Sequence, residues 1–383
     1  MKIVHIITRL VQGGADENTV ITCNLQVARG HEVWLVHGRD VAPGMMSQID
    51  DRVVVLCEPS LVREISPRQD MQALLGLTRT VRELAPDVVH THTSKAGILG
   101  RVAARRCRAP IVLHGVHILP FQSVSRAKRW LYRGLEAAVA PATDAFICVS
   151  RGMRDSNLAA GLGNAENNHI VYSGMDLARF ETALPAESLP QGRIIVLAAA
   201  FEARKRQEAF LDVFAALARR HPDIRLALLG QGECEPVLRA KVARLGLDAR
   251  VHFLGFRRDV ERWIAGAEIC VLPSMREGLP RVVIQYVAVG RPTVVTALPG
   301  IDEVVTDGEN GFVVQSGRVE DMEAPLEQLL GAPDLTARMA EAARRRDMSK
   351  WSAETMVDQI ESIMARVSVR KGLASARLSM SPT

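Results

Sequence analysis

Short runs of apolar, largely β-branched residues alternate along the chain with longer stretches whose apolar positions recur at helical spacing. Strands are predicted at Ile3–Thr8, Glu32–His37, Val53–Leu56, Val88–Thr91, Ile111–Leu113 and Phe146–Val149, the first followed by a glycine turn and a helix reaching Arg29. Strands apolar at consecutive positions are covered on both faces, as in parallel sheets with crossover helices. The periodicity lapses in Leu184-Pro185-Ala186-Glu187-Ser188-Leu189-Pro190-Gln191-Gly192, and a domain boundary is predicted there. Strands then resume at Ile194–Ala199, Arg225–Gly230, Val251–Leu254, Ile269–Leu272 and Thr293–Thr296. They are interleaved with helices at Gln207–Arg220, up to Leu245, up to Ala265 and from about Leu279, and helices close the chain near Thr336–Arg346 and Ser352–Val367. The prediction is an α/β protein of two doubly wound, Rossmann-like domains facing a cleft. Residues 1–186 form the first and 187–350 the second; a helix at 351–367 packs back on the first, and 368–383 is a disordered tail.

Composition narrows this picture. A chain of 383 residues, 48% hydrophobic, is long enough for two cores, and only 4% aromatic residues means cores of Val, Leu, Ile and Ala. No apolar run reaches the roughly 18 residues of a membrane span, and the N-terminus lacks the pattern of a signal peptide. Six scattered cysteines without CxxC spacing read as buried, reduced thiols of a cytosolic protein. The net charge of +5 is concentrated. Between Asp87 and Glu136 there is no acidic residue, while Lys95, Arg101, Arg105, Arg106, Arg108, Arg126, Lys128, Arg129 and Arg133 are basic. Within this block Arg126, Lys128 and Arg129 adjoin Trp130, Leu131 and Tyr132, which suits an interfacial helix on an anionic membrane. A solvated basic face has the same composition, and no nucleic-acid motif accompanies it.

Two loops carry the candidate chemistry. Gln12-Gly13-Gly14-Ala15-Asp16 follows the first strand and opens a helix, where small residues and free N–H groups suit an anion. A tight turn without a ligand fits equally, and the full GxGxxG fingerprint of a nicotinamide-binding domain is absent. Pro273-Ser274-Met275-Arg276-Glu277-Gly278-Leu279-Pro280 closes a strand and opens an amphipathic helix, with Pro280 in the first turn. A diphosphate suits this helix start, with Glu277 accepting from sugar hydroxyls; a first-turn carboxylate stabilising the helix dipole is the other reading. His90, His92, His114 and His117 have no acidic or cysteine partner nearby in the sequence, and no metal site is predicted.

The segments Gly13–Val33, His90–Arg106, Val171–Phe180, Val251–Val260 and above all Pro273–Val314 resemble the retaining glycosyltransferases of family 4, over nearly the whole length. The resemblance implies the GT-B fold and a metal-independent transfer with no cofactor. Gly14, beside Gly13, would face the donor diphosphate, and Lys205 matches the lysine that neutralises it. Glu277 matches the first glutamate of an E-x7-E element that contacts the donor sugar. The backbone of Gly278 and Leu279 would meet the phosphates, His117 would approach the reacting sugar, and Phe256 and Arg257 lie where the family forms its base pocket. Three departures stand out: the second glutamate is Gln285, the usual arginine is Ala199 or Ala200 with Arg204 as a substitute, and Ile118 follows His117.

The function implied is transfer of a hexose or N-acetylhexosamine, with retention, from a UDP-sugar or GDP-sugar to a lipid-linked or cell-envelope glycan. The resemblance is to bacterial enzymes of envelope and capsular polysaccharide assembly. The expected location is the cytoplasm, peripheral on the inner face of the cytoplasmic membrane, with Arg126, Lys128, Arg129 and Trp130 at the membrane or acceptor. A catalytically weak GT-B protein that binds a sugar nucleotide or a partner enzyme is the alternative, and a sugar nucleotide epimerase of GT-B fold is less well matched by the motifs.

Overall fold

The structure, a computed structural model, describes residues 1–11, 13–117, 126–277 and 280–373, with residues 126–128 described by backbone alone. Gly278, Leu279, Ile118, the side chains of Arg126 and Lys128, and the tail from residue 374 therefore lie outside the described residues. The chain divides into two compact units, Met1–Met175 with Ser349–Thr383, and Asp176–Met348.

The first unit runs β1 (Lys2–Ile7), α1 (Gly14–Ala28), β2 (Glu32–His37), β3 (Val54–Cys57), α2 (Pro67–Leu84), β4 (Val88–His92), α3 (Ser94–Arg106) and β5 (Ile111–Val116). It continues through α4 (Arg126–Val139), β6 (Ala145–Cys148), α5 (Arg151–Ala159) and β7 (Asn168–Ile170). The seven strands are parallel in the order β3-β2-β1-β4-β5-β6-β7. Ile3, Val88, Ile111 and Leu113 on one sheet face pack against Met356, Val357, Ile360 and Met364 of the C-terminal helix. On another face Val4, Ile6, Val89 and Val112 meet Leu74, Leu77, Val81 and Ala103 of α2 and α3.

The second unit comprises α6 (Ala178–Glu181), β8 (Arg193–Ala198), α7 (Gln207–Arg220), β9 (Ile224–Leu229), α8 (Glu235–Arg244), β10 (Val251–Phe253), α9 (Val260–Ala265) and β11 (Ile269–Leu272). After these come α10 (Arg281–Ala288), β12 (Thr293–Thr296), β13 (Gly311–Val314), α11 (Glu323–Gly331) and α12 (Pro333–Arg344). Its sheet is parallel in the order β10-β9-β8-β11-β12-β13, over a core that includes Ile195, Leu197, Phe210, Phe214, Leu226, Leu228 and Val271. In both sheets strand order reverses beside the first strand, at β1/β4 and at β8/β11. In doubly wound folds ligands bind outside the carboxyl ends of the strands at such reversals.

Three differences from the sequence reading have local causes. The division falls at Met175–Asp176 and not at residue 187, because the polar segment is held in the second unit: Phe180 is buried, and Ala186 N–H donates to Arg262 O at 3.1 Å. Strands β7 and β13 were not anticipated; β7 is three residues with one apolar position, and β13 opens on Gly311. The C-terminal helix, α13, spans Ala353–Arg370, so residues 368–370 are helical where a tail was expected; the rest of that expectation, from residue 374, lies outside the described residues. Of the six cysteines, all free thiols, Cys23, Cys148 and Cys270 are buried, whereas Cys57 is exposed and Cys107 and Cys234 are half-buried.

Candidate active site

In the second unit the loops leaving β8 and β11, neighbours at the strand-order reversal, carry the charged candidates. Tyr286 of α10 ties these strands together from below, its buried hydroxyl accepting from Ala198 N–H at 2.8 Å. The loop after β8 is braced on its other side by Gly230 and Gly232, where a Cβ on Gly232 would meet Phe201 O at 2.5 Å and a Cβ on Gly230 would meet Ala199 O at 2.1 Å. Phe201 N–H donates to Gln231 O at 3.0 Å across that close approach. Arg206, at φ 55° in the left-handed region, turns the chain from Lys205 into α7. Met275 N–H donates to Arg204 O at 2.8 Å, which joins the two loops by their backbones.

On this frame Glu277 accepts from Lys205 Nζ and, at 3.0 Å, from Arg204 Nη1. Arg204 Nε donates to Glu202 at 2.7 Å. Lys205 and Glu277 keep 12% and 11% of their side-chain surface exposed, so the cluster is largely but not wholly withdrawn from water. The sequence reading placed Arg204, Lys205 and Glu277 in one site, and the structure brings their side chains into contact across a separation of 72 residues. It did not single out Glu202, although that residue stands in the same loop. Gln285 is half-buried on α10. Phe256 is 44% exposed, and Arg257 is held in a two-bond clamp by Asp259 at 2.7 and 2.8 Å while lying over the Trp263 ring.

In the first unit Gly13 caps α1 in an extended conformation, φ −152°, that any residue adopts, so space rather than backbone strain distinguishes it: a Cβ there would lie 3.2 Å from Asp16 Oδ2. Asp16 itself is buried in the first turn of α1 and accepts from Val11 N–H; burial pushes its carboxyl up to about 7 despite Arg9 nearby.

Strands β1, β4 and β5, with His117 just after β5, present a set of histidines. Parallel register places His5 of β1 opposite His90 of β4, and His92, two positions on, shares its face. His5 Nε2 lies 2.7 Å from Gln26 Oε1, His5 Nδ1 lies 3.0 Å from His92 Nε2, and His92 Nδ1 lies 3.3 Å from His117 Nε2. His114 turns away to Thr91 Oγ1 at 3.0 Å. Burial holds His5 down at about 4, and holds His90, His92 and His114 well below the ordinary histidine value, so all four are neutral at pH 7. Neither ring nitrogen of buried His90 has a hydrogen-bond partner among the described residues. His5, His90 and His92 are, among the described residues, the group whose ligand atoms come within 4.8 Å of one another, although the His5 and His92 nitrogens that face each other are already engaged in a hydrogen bond.

The basic block of the first unit divides when seen in three dimensions. Arg101 is fully buried, ion-paired with Glu136 and bonded to Gly97 O at 2.8 Å, and Lys95 pairs with Asp70 at 2.6 Å. Neither belongs to a basic surface, because carboxylates distant in sequence fold against them. Arg105, Arg106, Arg108, Arg129 and Arg133 are exposed, as is Trp130 at 74%, with Leu131 and Leu135 beside it on α4. No helix among the described residues is long and apolar enough to cross a membrane.

Comparison with known proteins decides the family. Residues 13–174 match the Glycosyl transferase 4-like domain, and residues 181–346 match Glycosyl transferases group 1. The chain belongs to the group 1 glycosyltransferases. It is 26% identical over 337 residues to the Escherichia coli UDP-Gal:alpha-D-GlcNAc-diphosphoundecaprenol alpha-1,3-galactosyltransferase, covering 84% of this chain and 86% of the relative. It is 28% identical over 342 residues to the putative glycosyltransferase EpsD of Bacillus subtilis, covering 86% and 88%. Among solved structures, Anabaena HepE in complex with UDP-glucose superposes with a TM-score of 0.79 at 20% identity, over 96% of this glycosyltransferase and all of the other chain. The fold is accordingly GT-B.

Proposed function

We propose that this glycosyltransferase moves a hexose or N-acetylhexosamine from a UDP-sugar or GDP-sugar, with retention at the anomeric carbon, to a lipid-linked or envelope glycan. The observation that carries this reading is the cluster of Lys205, Arg204 and Glu277 on the two loops at the strand-order reversal of the second unit. Two cations held by one carboxylate form a site that an incoming diphosphate can enter: Lys205 and Arg204 turn to the phosphates, and Glu277 is released to accept from sugar hydroxyls. As the bond from the anomeric carbon to the phosphate oxygen breaks, negative charge grows on the leaving diphosphate, and fixed cations stabilise it without reorganising. The new bond forms from the acceptor oxygen to the same carbon, and the acceptor's proton passes to the leaving phosphate oxygen. No metal or cofactor is needed in this scheme. The backbone of Gly13 and Gly14 in the first unit, and that of Gly278 and Leu279 in the second, are assigned to the phosphates; Phe256, Arg257 and Gln285 to the nucleoside; and His117 to the sugar.

The names of the relatives support an acceptor held on a lipid or in an envelope polysaccharide, since one is a transferase acting on a diphosphoundecaprenol. Exposed Arg129, Trp130, Leu131, Arg133 and Leu135 on α4 suit contact with the anionic inner face of the cytoplasmic membrane alongside Arg126 and Lys128. Gln285, an amide in place of the second glutamate, favours one competing reading, a catalytically weak protein that binds sugar nucleotide for a partner enzyme. Incubating purified protein with UDP- and GDP-sugars and a membrane lipid extract, and following labelled sugar, separates the two. Transfer of label into lipid is expected; tight nucleotide binding with neither transfer nor donor hydrolysis would establish the weak-binder reading instead.

A further inference from the structure

The loop leaving β8 makes a single 3-10 turn at Ala203–Lys205, entered at Glu202 and left at Arg206. Its backbone is fixed on both sides of Glu202: Glu202 N–H donates to Ala200 O at 2.9 Å, and Lys205 N–H donates to Glu202 O at 2.9 Å. Arg204 stands on this turn with its guanidinium held at two of its three nitrogens. Nε donates to Glu202 Oε2 at 2.7 Å, and Nη1 donates to Glu277 Oε2 at 3.0 Å and to Arg276 O at 3.3 Å. Nη2, with two N–H donors, has no hydrogen-bond partner among the described residues. A planar group held at two points has one orientation, so the Nη2 donors are aimed by the bonds that their neighbours make. If Glu277 were the sole carboxylate anchor, Arg204 would lose its ionic hold whenever that carboxylate gave way to a ligand. Glu202 supplies a second anchor.

We propose that Glu202 is a positioning residue for transfer: by holding Arg204 at Nε it keeps the guanidinium in place while Nη1 exchanges Glu277 for the donor diphosphate and Nη2 meets a phosphate oxygen. The proposal rests on the diphosphate reading of the cluster given above. It explains how Arg204 serves where the usual arginine, expected at Ala199 or Ala200, is missing. An arginine carried on a short turn between loop residues needs its own anchor, and Glu202, two positions before it, is that anchor. Glu202 and Arg204 keep 43% and 34% of their side-chain surface exposed. An ion pair this open to water adds little to stability, so its value lies in orientation and belongs to the kinetics.

Charge alone and positioning predict opposite results for the same substitution. Removing an anion beside a diphosphate site should, by charge alone, tighten donor binding and speed transfer. Positioning predicts that Glu202→Ala lowers kcat roughly tenfold in a steady-state transfer assay, with donor KM changed less than about twofold and the melting temperature unchanged. Glu202→Gln, which keeps an acceptor for Nε–H without the charge, should lose less than Glu202→Ala. In an Arg204→Ala background Glu202→Ala should have no further effect, because Glu202 acts through Arg204. A second measurement needs no turnover. In full-length protein labelled with 15N-arginine, the Arg204 Nε–H signal, assigned by its loss in Arg204→Ala, should exchange slowly with solvent, with or without UDP, and rapidly in Glu202→Ala. Wild-type or faster transfer by Glu202→Ala, an equal loss in both backgrounds, or an Nε–H that exchanges as fast in wild type as in Glu202→Ala overturns the proposal. A slow Nε–H in a wild-type protein that transfers sugar from no donor overturns the transfer reading instead, and with it the role of Glu202 in transfer, while the clamp on Arg204 stands.

Discussion

Each unit holds a prominent ion pair, and the two stand in opposite settings. Arg101–Glu136 joins two helices of the first unit with side-chain exposures of 0% and 4%, and the guanidinium is further bound by Gly97 O and Thr143 Oγ1. Lys205 and Arg204 with Glu277 join two loops at the carboxyl ends of β8 and β11, partly open to water. A fully buried pair has no other partner to turn to, so its loss leaves an uncompensated charge. A pair on loops at a strand-order reversal can trade its internal partner for an anionic ligand. The same residue types are scaffold in one place and, in the function proposed above, a binding surface in the other, and topology separates the two settings.

The largest effect expected from breaking this contrast is on stability. Arg101→Met should cost about 3–5 kcal/mol in urea unfolding, since Glu136 is left buried and unpaired. The double variant Arg101→Met/Glu136→Leu should recover most of that loss, and transfer per folded molecule should be unchanged in both. A comparable but functional effect is expected at the other pair: Lys205→Ala should lower kcat about 10²–10³-fold in a steady-state transfer assay, with a melting temperature close to wild type.

A third expectation follows from the neutral histidines, which share the first unit with Arg101. Burial lowers His5 from 6.5 to about 4, so its contribution to stability is fully present above pH 6.5 and is lost as pH falls toward 4, about 3 kcal/mol across that window. His90, His92 and His114 act in the same direction. Asp16, raised to about 7, acts oppositely and gains stability over the same fall in pH. Unfolding free energy should therefore drop on acidification from pH 7.5 to 5, and drop more steeply in Asp16→Asn. The smallest effect concerns α4: replacing Trp130 and Leu131 by Ser and neutralising Arg129 should weaken sedimentation with anionic vesicles, each charge contributing about 1 kcal/mol, with transfer to a soluble acceptor analogue unaffected.

How far the sequence foretold these features follows from the range of the interactions behind them. Strands such as Ile194–Ala199 and Ile269–Leu272 were legible because a parallel strand buried on both faces declares itself in a handful of consecutive residues. The division at Met175 was not, because Phe180 and Ala186 are claimed by partners far along the chain. Glu277 was singled out from its own loop and Lys205 through family resemblance, and their mutual contact needed the adjacency of β8 and β11. Arg101 was misplaced on a basic face because Glu136, 35 residues on, ends the acid-free stretch in sequence yet lies against it in space. His5 and Gln26 drew no attention for the same reason: only the β1–β4 register and the seating of α1 turn separate polar residues into a file.

The most direct test of the account is calorimetric titration of UDP and GDP onto wild-type and Lys205→Ala protein. If Lys205 exchanges Glu277 for the diphosphate, the preferred nucleotide should bind the variant at least tenfold more weakly. Equal affinity in both proteins would mean that the Lys205–Glu277 pair is scaffold, like Arg101–Glu136, and that the donor is held elsewhere.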